Sequence, residues 1–179
     1  MQFVYDDGGR ANAGFQGKAG DCVTRAIAIA AQRSYAVTYF DMATINSKMK
    51  KTKGRKKGSV GIKTAANGIY TTSTLFKDYM IKLGFKWVAC MKPGTGCKVH
   101  LADGELPMGR LVVKLSRHLT SVIDGVIHDT YNPERDDSFM FEPDHGQELA
   151  ANQGRNENGV WTKIGGRCVY GYWIYYGRG

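Results

Sequence analysis

The pair Asp124-Gly125 constrains this chain more tightly than any other two residues. It is a preferred two-residue hairpin turn, flanked by His118-Leu119-Thr120-Ser121-Val122-Ile123 and Val126-Ile127-His128-Asp129-Thr130-Tyr131. A turn of that length fixes the register, setting Ile123 opposite Val126, Thr120 opposite Asp129 and His118 opposite Tyr131. Side chains alternate between faces along a strand, so His118, Thr120 and Val122 share a face with Ile127, Asp129 and Tyr131. Asp129 then lies diagonally across from His118, within side-chain hydrogen-bonding reach. His128 falls on the opposite face, while His100 and His145 sit in loop-like segments with no carboxylate at an informative spacing. The hairpin thus selects His118 as a base and Asp129 as the group that orients it.

A base of this kind needs a nucleophile, and one cysteine is placed for the role. Gly14-Phe15-Gln16-Gly17-Lys18-Ala19-Gly20-Asp21-Cys22 is a glycine-rich loop, followed by the apolar run Val23 to Ala30. Val23, Ala26, Ile27 and Ala30 recur at helical spacing, and Gly20-Asp21 offers an N-cap. The alanines allow close packing, so a central, buried helix is expected. Cys22 stands at its start, where unpaired N–H groups and the helix dipole favour a thiolate. The competing reading is a small buried core thiol, the usual fate of a free cysteine.

The rest of the chain supplies the frame. Phe3-Val4-Tyr5 reads as a short strand, Val37 to Ser47 as a helix with Tyr39, Phe40, Met42 and Ala43 inward, and a helix follows Thr72 or Ser73 and stops at Gly84. Strands are expected over Lys86–Met91, Arg110–Ser116 and Arg167–Tyr176, the last suited to a sheet edge or a sheet–helix seam. Asn132 to Lys163 is polar and rich in Gly, Asn and Asp, and reads as an irregular excursion. Helices precede antiparallel strands, so the class is α+β, and 179 residues without an internal repeat suit one domain.

Charge and cysteine usage narrow the function classes. The formal net charge is +9, but seven basic residues fall within positions 48–57, leaving +2 elsewhere. The basicity belongs to one loop, 48–61, expected to be mobile, in which Lys50, Lys51, Lys53, Arg55, Lys56 and Lys57 are candidate contacts to a partner protein or to nucleic acid. No aromatics interleave them, which disfavours single-strand binding by stacking. The four cysteines form no CxxC pair or zinc-finger spacing. With no secretory leader or membrane-length apolar run, free thiols in a reducing cytoplasm are expected.

Gln16-Gly17-Lys18-Ala19-Gly20-Asp21-Cys22 resembles the nucleophile loop of the papain-like cysteine peptidase superfamily, which sets a glutamine six residues before the cysteine. The strand histidine followed by Asp129-Thr130-Tyr131-Asn132-Pro133 is similar to the C39-like branch of that superfamily, and Asp21 to Ala26 is similar to the start of the helix in ovarian-tumour-domain deubiquitinases. The resemblance covers about a fifth of the chain, and Val23 stands where papain relatives carry tryptophan. It implies a papain-like fold with the Cys22 helix on a C-terminal antiparallel sheet. It also implies a hydrolase acting on peptide, isopeptide or amide bonds, with Gln16 and the Cys22 N–H as oxyanion donors. Asp129 or Asn132 would be the third catalytic member, and the chemistry needs no metal or organic cofactor. The overall pattern, through Arg167-Cys168-Val169-Tyr170-Gly171-Tyr172-Trp173, resembles small phage and prophage proteins. This implies host cytoplasm or the virion as setting, and allows a non-catalytic alternative that binds a host or virion protein through the basic loop.

Overall fold

The computed structural model describes residues 1–49, 64–66, 68–134, 139–140, 153–155, 161–163 and 166–177. The six basic candidates from Lys50 to Lys57, and His145, lie outside the described residues.

The fold is α+β; the described residues form three helices and a six-stranded mixed sheet ordered β1-β5-β4-β3-β9-β2. At its centre β3 (Arg110–Leu115), β4 (His118–Ile123) and β5 (Val126–Asp129) form an antiparallel meander. The expected register holds, with Ile123 opposite Val126 and Ser121 opposite His128. Asp124 and Gly125 take φ of 47° and 81°, the left-handed pair that this turn requires. The Asp124 side chain also accepts from the Gly109 N–H at 2.8 Å, tying the turn to the start of β3. The β3–β4 turn, Ser116-Arg117, carries Arg117 at φ 57°, and no glycine or asparagine announces it in the sequence.

Two expectations about the sheet are corrected. It is not wholly antiparallel, because β1 (Gln2–Tyr5) runs parallel to β5 along one edge. The aromatic strand β9 (Gly171–Tyr175) is not at an edge but between β3 and β2 (Phe85–Ala89), at the sheet–helix seam that is the other expected place. Its alternation serves two cores: Trp173 faces the helices, and Tyr172 and Ile174 pack with the opposite cluster. The excursion after Asn132 is also more regular than expected, since β6 (Phe139–Met140), β8 (Trp161–Lys163) and β7 (Gln153–Arg155) pair as a small antiparallel sheet.

One face of the main sheet carries the helices. α1 (Cys22–Ala30) packs chiefly against β4, α2 (Tyr35–Lys48) against α1, and α3 (Thr74–Lys82) against β2. Val23, Ala26, Ile27 and Ala30 join Met42, Phe76, Met80, Val112, Leu119 and Trp173 in the larger core. α1 is buried on every side, not on one stripe. Gly8, at φ 65°, closes over its outer side, where a Cβ would stand 3.2 Å from the Arg25 carbonyl oxygen. On α2 the inward set includes Tyr35, Met42, Ala43 and Ile45, whereas Phe40 is exposed. α3 begins as expected, with the Ser73 hydroxyl accepting from the Phe76 N–H.

The other face packs Leu111, Val113, Leu115, Val122 and Ile127 against Leu101 and Val169. Here the expectation of four free thiols is overturned. Cys97 and Cys168 form a disulfide with Cα atoms 5.8 Å apart. Residues 99–101 and 167–169 pair beside it, through Leu101 N–H to the Arg167 carbonyl and Val169 N–H to the Val99 carbonyl, both 2.8 Å. Cysteines 71 positions apart carry no spacing signal that could have shown this. Among the described residues no helix is long and apolar enough to cross a membrane.

Candidate active site

His118 opens β4 and Asp129 closes β5, so the register of the hairpin alone brings them together. The His118 Nε2 lies 2.7 Å from Asp129 Oδ2, and both side chains are buried. The other carboxylate oxygen, Oδ1, accepts from the Thr130 N–H at 2.7 Å. Burial favours the neutral acid, but the hydrogen bond and charge of His118 outweigh it and hold the Asp129 carboxyl below its ordinary value.

Cys22 comes to this pair from α1. Its thiol is near enough to the His118 side chain and the Leu119 backbone for both to act on its proton affinity. With Nε2 engaged by Asp129, Nδ1 is the ring nitrogen that the carboxylate leaves free. Burial would push the thiol up; His118, the Leu119 backbone and the Arg25 charge overcome this and lower it. The ring responds in the opposite sense. Burial opposes its charge, yet Asp129 and Cys22 together raise His118 to about 9. Both shifts favour a thiolate–imidazolium pair backed by a carboxylate, the form in which a cysteine is a nucleophile. Cys90, the other free thiol among the described residues, is raised by burial alone.

The nucleophile loop is held by a network of bonds that the sequence did not reveal. Asp21 occupies the N-cap position, but its side chain makes no capping bond. It is fully buried and accepts instead from Arg10 Nε at 2.9 Å, from Tyr35 Oη at 2.5 Å and from Arg25 Nη1. The first N–H groups of α1, which have no partner within the helix, are therefore not covered by that carboxylate. Arg10 makes two further bonds, from Nη1 to the Phe15 carbonyl and from Nη2 to the Gln16 carbonyl, each 3.0 Å. One guanidinium thus spans the loop from residue 15 to residue 21. Arg25, buried, reaches from Asp21 to Asp129, with Nη2 3.8 Å from Oδ1. Two arginines face two carboxylates, so the charges balance around the dyad.

The other candidates separate cleanly. Gln16 is exposed, on the loop that Arg10 braces. Asn132 does not hold the ring; its Oδ1 accepts from the Glu134 N–H at 2.9 Å. His128 meets Asp6 at 3.3 Å on its own face of the hairpin, and His100 meets Glu105 at 3.3 Å. Among the described residues no group of three His, Cys, Asp or Glu side chains is placed to hold a metal ion. Arg10 was missed because its partners are backbone carbonyls and a residue 11 positions away, a pattern without a sequence signature.

Compared with family models, with curated proteins and with solved structures, the chain gives no match.

Proposed function

We propose that the protein is a cysteine hydrolase of papain-like type, cleaving a peptide, isopeptide or related amide bond in a peptide or protein substrate. The observation that carries this reading is the buried His118–Asp129 pair, 2.7 Å apart, with His118 raised and the thiol of Cys22, at the start of α1, lowered by it. The Cys22 thiolate attacks the carbonyl carbon and forms a C–S bond. The resulting oxyanion is met by the Cys22 N–H and by Gln16, on the loop braced by Arg10. As the C–N bond breaks, imidazolium delivers its proton to the leaving amine. His118 then takes a proton from water, which attacks the thioester and expels the thiolate. Asp129 keeps the ring oriented and offsets its charge throughout. A host cell infected by a phage is the setting that the sequence resemblance suggests.

Labelling with iodoacetamide, read by peptide mass spectrometry, tests the pair directly. Cys22 is expected to react well ahead of Cys90, and His118→Ala is expected to remove that preference. Equal labelling of the two thiols in the unmodified protein would sink the reading.

A further inference from the structure

On the helix-covered face of the sheet lies a cleft of about 540 Å³. Its floor is aromatic. Trp87 stands opposite Trp173 across the β2–β9 pair, their rings 5.2 Å apart, and Phe85 lies next along the same face. The Trp87 indole lies over Gly171, where an added Cβ would be 2.4 Å from its Cζ2. Only glycine leaves the ring in that place. α3 forms one wall with Lys77 and the largely exposed Ile81, a turn apart. Lys114 and its cross-strand neighbour Leu119 form the other.

Leu119 joins the cleft to the chemistry. It follows His118 directly, it lines the cleft, and it belongs to the core cluster against which Cys22 packs. The cleft is also electrically one-sided. No carboxylate lines it, and neither Lys77 nor Lys114 makes an ion pair among the described residues. Lys86 borders it too, but its position on β2 alternates away from Trp87. An aromatic floor rewards a bulky apolar group, and two uncompensated ammonium groups favour a carboxylate close to it.

We propose that this cleft takes the segment of an acidic peptide next to the scissile bond: a bulky apolar side chain on Trp87 and Trp173, and an adjacent Asp or Glu carboxylate between Lys77 and Lys114. The assignment of the segment to a scissile bond rests on the hydrolase reading above; binding in the cleft does not. Binding is therefore measured apart from chemistry, in Cys22→Ala protein, by tryptophan fluorescence with N-acetyl-Glu-Phe-amide, N-acetyl-Lys-Phe-amide and N-acetyl-Glu-Gly-amide. The Glu-Phe ligand is expected to bind at least about tenfold more tightly than either other, with affinity falling as salt rises. Lys114→Gln and, on the exposed helix surface, Lys77→Glu are each expected to erase the preference for Glu over Lys. Equal affinities, no fluorescence response, or an unchanged preference in both variants would overturn the proposal. Iodoacetamide selectivity for Cys22 in the unmodified protein reports separately on the hydrolase reading, so the two fail independently.

Discussion

Cys22 and His118 move in opposite directions from their ordinary pKa values, and this sets a pH profile with two separate limbs. The thiol is lowered, so thiolate is already present below the ordinary thiol range near 8.5. The imidazole is raised to about 9, so it keeps its proton until the pH approaches that value. Alkylation by iodoacetamide needs only the thiolate. It is expected to rise at lower pH than for an ordinary thiol and not to fall near pH 9. Hydrolysis of an amide also needs the imidazolium proton, and is expected to fall above about pH 9, where that proton is lost. In His118→Gln the alkylation limb is expected to move up toward the ordinary thiol value. An unmoved limb would mean that His118 does not set the thiolate. Asp129 was legible at this scale because diagonal neighbours in a hairpin are fixed by the turn. The role of Asp21 was not: its place before a helix suggests a cap, whereas burial beside Arg10, Arg25 and Tyr35 gives it stronger partners than a backbone N–H.

The loop of residues 14–21 is an element in which flexibility and order are set against each other. Gly14 and Gly17, at φ 80° and 74°, allow its path, and Arg10 holds it there by bonds to Phe15, Gln16 and Asp21. Arg10→Ala removes all three bonds while leaving Asp21 with Arg25 and Tyr35. Acylation of Cys22 by p-nitrophenyl acetate passes through a tetrahedral oxyanion, whereas alkylation by iodoacetamide does not. The substitution is therefore expected to slow acylation by about 10- to 100-fold with little effect on alkylation. Equal slowing of both reactions would place the effect of Arg10 on the thiolate and not on the loop. The neighbouring elements were legible to different degrees. Ser73 and Gly84 bound α3 where expected, since capping chemistry is local. The inward face of α2 was misjudged at Phe40, because an amphipathic pattern this weak does not say which side meets α1.

For the molecule as a whole, the Cys97–Cys168 disulfide closes a long segment containing β3, β4, β5 and the small second sheet. Closing a segment between cysteines 71 positions apart restricts the unfolded chain by about 4 kcal/mol in the chain-entropy account. Urea unfolding with and without dithiothreitol is expected to differ by roughly that amount, and a Cys97→Ser, Cys168→Ser variant to match the reduced protein. Identical midpoints would show that the crosslink adds nothing to stability. The sequence by itself determined the pieces whose geometry is local: the hairpin register, the Cys22 helix, the caps of α3, and with them the pairing of His118 with Asp129. A two-residue turn and a period-two alternation leave those side chains no other arrangement. Only the tertiary structure decided that β1 joins in parallel, that β9 is interior, that Cys97 meets Cys168, that two arginines brace the nucleophile loop, and that two tryptophans floor a cleft lined by Leu119. Each of these joins residues far apart in the chain, and their meeting depends on how whole elements pack, which no short-range pattern encodes.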